Sequence, residues 1–290
     1  MEKIRRLGGQ AVIEGIMLRD RDSYSIAVRE QGNEVFTLYE KFEQGWFSRH
    51  KLDHIPFLRG IYLLCQSLWL GVKSLGMSAV IQSGSKEMKV NNAELGFSLI
   101  AAIVMGLTIF ILIPFGVADC AEKYVFSLSP FYFNLIEGIV RLLMFVSYLC
   151  LITKIPDVGR LLAYHGAEHK VINAYESGME LNLANVRGCK RTHPRCGTSF
   201  ILFFIVVTTV VFSLIPTSGI WQRILMRIFF LPILGAASYE LLQIFNRLFD
   251  PGNWILNLGT LFQRLTTREP DDRQMEVAII ALKGLLEREN

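Results

Sequence analysis

Four stretches of the chain stay apolar for the roughly 20 residues that a helix needs to cross a bilayer. They run from Ala93 to Val117, Phe131 to Ile152, Thr198 to Ile215 and Ile220 to Phe245. They predict two transmembrane hairpins, residues 93–152 and 198–246, separated by a polar segment at 153–197. A fifth stretch, Ile55 to Ile81, is also apolar, but it carries Arg59 and Lys73 and is interrupted by Gly60, Gly71 and Gly76. Residues 55–90 are therefore read as one or two helices that lie in the membrane interface or re-enter it, with a true span as the alternative.

The polar ends carry a different pattern. Tyr24, Ile26 and Val28 alternate along Ser23 to Arg29, Gln31 to Asn33 supply turn chemistry, and Glu34 to Tyr39 reads as the returning strand of a hairpin. Gln10 to Leu18 suggests one more strand, broken at Gly15. After the last apolar stretch, Asp250, Pro251 and Gly252 punctuate the chain before an amphipathic run from Trp254 to Leu265. Pro270, Asp271 and Asp272 then start a last helix, Met275 to Glu287, whose Val277, Ile280, Ala281 and Leu285 follow helical spacing. The expected fold is an α-helical polytopic membrane protein with about four transmembrane helices. A small strand-containing cytoplasmic module (1–54) precedes them, and a cytoplasmic amphipathic tail (247–290) ending in a helix follows.

Composition supports that class: 51% of the 290 residues are hydrophobic and the mean hydropathy is +0.35. The positive-inside rule supplies the orientation. Of the 30 Lys and Arg, thirteen precede residue 91, seven fall in the middle segment and six in the tail, whereas only Lys123 lies beyond the first span. Both termini and the middle segment are thereby expected in the cytoplasm of a bacterial inner membrane. No cleavable signal is expected in Met1 to Arg59, which lacks an apolar core. Among the five cysteines only Cys189 and Cys196 share a polar segment, and in a reducing cytoplasm a metal or plain thiols suit them better than a disulfide.

The middle segment holds the candidate chemistry. Tyr164 to Lys170 reads YHGAEHK, which contains the order H-x-x-E-H. On a helix from about Val158 to Ser177, His165 and His169 share one face and can address one divalent ion, zinc above all, with Glu168 beside them as a general base. Glu176, two turns beyond His169, is a candidate third ligand. Cys189, His193 and Cys196 form a second N/S donor set just before a span. Hydrogen-bonded interfacial histidines would satisfy the same pattern. The basic run Arg187 to Arg195 suits anionic lipid headgroups, and nucleic acid is not expected as a partner.

Within the spans, Glu137 and Arg141 stand four apart and can pair across one helical turn. Glu240, Gln243, Asn246 and Arg247 form a polar stripe leaving the last span. Such residues mark either a pathway or helix packing, and the absence of an inverted repeat disfavours a transporter. Gly8, Gly9 and Gln10 match the tripeptide of peptide release factors, but a turn at the start of a strand accounts for them.

Five pieces in order, GGQAVIEGIMLR (Gly8 to Arg19), PFLRG (Pro56 to Gly60), YHGAEHK (Tyr164 to Lys170), HPRCGTSF (His193 to Phe200) and TTREP (Thr266 to Pro270), together resemble the YqhQ family of bacterial membrane proteins. That resemblance implies a metal-dependent enzyme. Two functions are thus expected to compete. One is a cytoplasm-facing metalloprotein, a hydrolase, built on His165, His169 and Glu168. The other is a non-enzymatic factor that assists insertion or folding of other membrane proteins near the translocon and ribosome.

Overall fold

The computed structural model describes residue 5 and residues 7–42, 55–84, 92–125, 128–215, 220–248 and 254–287. Residues 43–54 of the expected module, the Asp250 to Gly252 punctuation and the side chain of Arg247 lie outside the described residues.

Near the N-terminus a four-stranded antiparallel meander forms from β1 (Gly8–Val12), β2 (Gly15–Arg19), β3 (Ser23–Arg29) and β4 (Val35–Lys41). The expected β3–β4 hairpin is present, with Asn33 in the left-handed region (φ 72°) at its turn. The single strand expected over Gln10 to Leu18 is instead two, paired Val12 to Gly15 around a two-residue loop. Gly15 is therefore not a break but the first residue of β2. A Cβ there would lie 2.9 Å from Val28 Cα and collide with the Ala27 carbonyl, so only glycine lets β2 approach β3 this closely.

Strand alternation gives the sheet two apolar faces. Ile16, Leu18 and Ala27 point one way, into a core with α5 (Pro156–Glu176), α6 (Leu183–Gly188) and α10 (Asp272–Glu287). Val12, Met17, Ile26 and Val28 point the other way, onto Leu70, Met77 and Ile81 of α1 (Leu58–Gln82). The terminal helix begins three residues earlier than expected because Asp271 caps it. Gln274 N donates to Asp271 Oδ1 at 2.8 Å and Asp271 N to Gln274 Oε1 at 3.0 Å, a reciprocal capping box. Val277, Ala281 and Leu285 are buried as anticipated.

The remaining long helices are apolar. They are α2 (Asn92–Leu107), continued through a five-residue π-helical segment (Thr108–Leu112) into α3 (Ile113–Tyr124), then α4 (Pro130–Ile152), α7 (Gly197–Leu214) and α8 (Ile220–Leu248). The amphipathic α9 (Trp254–Thr266) packs on α7. Counting α1, five helices among the described residues are long and apolar enough to cross a membrane, against the four read from the sequence. The difference is α1, which is one unbroken helix of 25 residues and the least apolar of the five, with mean hydropathy 1.3. Its glycines do not interrupt it. A Cβ on Gly60 would press on Ala236 of α8 at 3.2 Å, and one on Gly71 on Gln10 Oε1 at 2.7 Å, so both are sites of close packing. Its charges are paired as well. Arg59 donates to Glu240 of α8, and Lys73 binds Glu40 at 3.0 Å and the Tyr24 hydroxyl at 2.8 Å.

Within the apolar helices the Glu137–Arg141 pair is present but is part of a larger group. Arg227 of α8 donates to both Glu137 oxygens and, at 2.8 Å, to Asn134 Oδ1. Arg141 also donates to the Phe110 carbonyl in the π segment at 2.8 Å and to Thr208 Oγ1 of α7 at 3.3 Å. Each charge thus meets several partners, as burial in an apolar setting demands.

Replacing Gly15 by valine should destabilise the protein by about 2 kcal/mol, since overpacking against backbone cannot relax by a side-chain rotation. Gly32→Ala, with open space around it, should stay within about 0.5 kcal/mol of the parent. Thermal unfolding in mild detergent reads both, and equal midpoints for the two variants would contradict the assigned β2–β3 contact.

Candidate metal centre

Helix α5 carries the site. Ile155 is extended before Pro156, which opens the first turn, Asp157 follows in that turn, and Gly178 (φ 68°) lies just beyond the end. The helix covers almost the same span as expected, so His165 and His169 sit one turn apart with ring centroids 4.4 Å from each other.

What orients the two rings is backbone from elsewhere in the chain. His165 Nδ1 lies 2.7 Å from the carbonyl oxygen of Thr266, at the end of α9, and His169 Nδ1 lies 2.8 Å from that of Arg191. A carbonyl can only accept, so both Nδ1 atoms carry the proton and both Nε2 atoms present a lone pair. Cys196 caps α7, accepting from Thr198 N at 3.5 Å, and its Sγ stands 3.3 Å from His165 Nε2. Ligand atoms of His165, His169 and Cys196 all lie within 4.8 Å of one another. A tetrahedral zinc ion with ordinary Zn–S and Zn–N lengths would hold such a sulfur and nitrogen about 3.5 Å apart. The Sγ–Nε2 separation is close to that distance, and the three ligand atoms together form a looser His/His/Cys donor set of the kind that zinc takes.

Glu168 lies between this cluster and β1. It is only 5% exposed, and its Oε2 has no hydrogen-bond partner among the described residues. Burial pushes its carboxyl up to about 7, with the nearby His165 opposing the rise. Gly9 of β1 makes room for it, since a Cβ there would come within 3.0 Å of Glu168 Cδ and 2.7 Å of Leu18 Cδ2. The tripeptide Gly8 to Gln10 is thus a strand that passes over this carboxylate, and Gln10 Nε2 donates to the Gly71 carbonyl of α1 at 3.1 Å.

The other expected ligands do not join the cluster. Glu176 takes Arg195 and, at 3.2 Å, His193 Nε2. Although burial favours its neutral form, these two partners hold the Glu176 carboxyl below the usual carboxylate range. The His193 ring centroid is 6.0 Å from that of His169, and its backbone is clamped on both sides by Gln263, N to Oε1 and Nε2 to O, each at 2.8 Å. Cys189 donates to the Asn185 carbonyl at 3.4 Å and packs against the core. These three residues brace the segment that carries Arg191 and Cys196. All five cysteines are free.

The carbonyls of Thr266 and Arg191 and the Gln263 clamp escaped notice in the sequence, and Gly9 was noted without its packing role. The TTREP string contains Thr266. It lies along α5, where Arg268 N donates to the Leu162 carbonyl at 2.9 Å and Gly166 leaves space for the Arg268 carbonyl. Buried Lys170 binds Glu269 at 2.5 Å and the Arg187 carbonyl at 2.8 Å.

The class defined so far is a largely helical protein that joins a bundle of apolar helices to a sheet-containing module, with a His/His/Cys cluster at their junction. The sequence profile of the family described as Protein of unknown function (DUF1385) matches residues 55–288, and the chain belongs to that family. It is also 33% identical over 299 residues to Uncharacterized protein YqhQ of Bacillus subtilis (strain 168), covering 97% of this chain and 92% of that protein. No solved structure matches the chain.

The raised Glu168 value has a definite sign. At Glu168 the folded protein binds a proton more tightly than the unfolded chain, so this residue's contribution to stability is fully present below about pH 4.5 and is lost as the pH rises through about 7. In metal-free protein, Glu168→Gln should leave stability unchanged at pH 4 and raise it at pH 8 by up to about 3 kcal/mol. A midpoint difference that does not change with pH would refute the buried, ionisable placement of this residue.

Proposed function

We propose that this is a multi-pass protein of the bacterial cytoplasmic membrane that holds one divalent metal, zinc, on its cytoplasmic side and acts as a metal-dependent hydrolase. The observation that carries the reading is the convergence of His165, His169 and Cys196, with both Nδ1 atoms already committed to carbonyls. A metal bound there would supply Lewis acidity. His165 and His169 would hold it through Nε2 and Cys196 through its sulfur at the start of α7. Glu168, with its free Oε2 beside the cluster, takes the proton as general base.

The membrane placement rests on the helices containing α2 with α3, α4, α7 and α8 as four spans, and on the distribution of Lys and Arg. Under this reading α1 does not cross. From Leu70 to Gln82 it lies on the sheet, with Ile13 N donating to Ser78 Oγ at 3.1 Å and Gln31 Nε2 to the Gln82 carbonyl at 2.9 Å. Its opposite side presents Leu68, Trp69 and Leu75 as an exposed apolar stripe, which suits a helix lying in the interfacial plane among lipids with anionic headgroups nearby. That stripe also favours the second reading, a non-enzymatic factor that holds other membrane proteins near the translocon.

Metal analysis of protein purified in mild detergent should find about one zinc per chain, and a His165→Ala, His169→Ala variant should lose it. Intact protein that retains no stoichiometric metal would rule the proposal out. Glu168→Gln should keep the metal yet lose complementation of a deletion strain, whereas full complementation would select the non-enzymatic reading. For topology, a cysteine placed at Gly32 in a variant with Cys65, Cys120 and Cys150 replaced by serine should react with a membrane-impermeant thiol reagent only from the cytoplasmic side. Reaction from outside would reverse the assigned orientation.

A further inference from the structure

Between the apolar helices lies a cavity of about 430 Å³, within the size range of small-molecule sites. One of its walls is a single face of α7: Ile201, Phe204, Ile205, Thr208 and Phe212. Along a helix this face covers about 16 Å. Continued one turn towards the N-terminus, the same face carries Thr198. That residue's Oγ1 lies 3.5 Å from Cys196 Sγ and 3.2 Å from Thr266 Oγ1. The cavity and the metal-ligand cluster are therefore two ends of one helix face, separated by about five residues, or roughly 7 Å.

The cavity is apolar despite the two arginines beside it. Arg141 and Arg227 turn their guanidinium nitrogens onto Glu137, Asn134, Thr208 and the carbonyls of Phe110 and Arg223, which leaves their aliphatic stems for the lining. The π-helical segment contributes directly, since the Phe110 carbonyl that accepts from Arg141 belongs to it. A polar ligand would find few unspent donors here, whereas a hydrocarbon chain would gain apolar contact along the whole α7 face.

We propose that the cavity seats one acyl chain of a membrane amphiphile, whose polar head lies at Thr198 beside the His165–His169–Cys196 cluster. The inference rests on the membrane placement and metal reading above and gives that site its substrate class: a lipid presented head-first from the bilayer, not a water-soluble molecule. The chain lies along α7 and the head stops where α7 begins. Its polar end then lies beside Thr198 and Cys196 while the tail stays in apolar surroundings.

Photolabelling of the full-length protein in vesicles tests this. Two long-chain fatty acids serve as probes, one with a diazirine next to the carboxylate and one with it near the methyl end. The first should label the peptide around Thr198 and Ile201, and the second the region of Thr208, Phe212 or Phe110. Gly106 lines the cavity and has open space around it, so Gly106→Leu fills the cavity without straining the helix. It should lower both labels by about tenfold, whereas Val104→Phe, on the exposed side of α2, should leave them unchanged. Labelling with the two probes interchanged, spread evenly over exposed helix faces, or insensitive to Gly106→Leu would overturn the proposal even in zinc-loaded protein. Zinc-free protein that kept the head-to-tail pattern would instead remove the metal reading and leave the chain site standing.

Discussion

The docking of residues 266–270 against α5 is the contact on which the rest of the site depends. It fixes His165 through the Thr266 carbonyl, joins backbone to backbone through Arg268 N and the Leu162 carbonyl, and neutralises buried Lys170 with Glu269. Arg268 also reaches across to the Thr153 carbonyl, where α4 ends. One short segment therefore ties the first ligand helix, the apolar bundle and the start of α10 together. A histidine whose Nδ1 is bound to fixed backbone cannot rotate away, so its Nε2 direction is a property of the fold and not of a flexible side chain.

Polar groups inside the protein are handled in two ways. In the apolar bundle, Glu137, Arg141, Arg227 and Asn134 saturate one another and join α4, the π segment, α7 and α8. Such a group costs desolvation, and a well-satisfied network offsets that cost while specifying how the helices meet. At the junction with the module the opposite holds. Glu168 Oε2 is left without a partner and two imidazole lone pairs converge with a thiol. Buried side-chain atoms without a partner are rare in folded proteins, and Glu168 Oε2 is one of a few among the described residues.

Much of this was legible in the sequence, for reasons that differ by element. The apolar helices follow from length and hydropathy, and the β3–β4 hairpin from alternation with a turn at Gln31 to Asn33. The His165–His169 pair follows from helical spacing alone, because i and i+4 must share a face. Glycine was the main source of misreading. Gly15, Gly60 and Gly71 look like breaks in one dimension, yet each marks a place where two elements touch, and only the partner's position reveals that. Glu176 and His193 lie apart from the cluster for a related reason: they stand 17 residues apart in the chain and bind each other, a pairing that spacing does not specify. Carbonyl partners such as Thr266 and Arg191 leave no trace in side-chain identity at all.

Cys196 is where these two kinds of polar organisation meet. It is the cap of α7, so its sulfur position depends on how that helix sits in the bundle, while His165 and His169 depend on how α5 sits in the module. Tilting or sliding α7 by even a fraction of a turn would change the separation of Sγ from His165 Nε2, now 3.3 Å. Metal–ligand distances tolerate deviations of only about 0.2 Å, so three donors drawn from two bodies form a centre only when those bodies are in one relative position. Glu137 and its arginines hold α7 through Thr208, and the Gln263 bond to Ser199 at 3.0 Å holds its upper end against α9. The saturated network in the bundle is thereby a condition for the geometry of the His165, His169 and Cys196 cluster above it.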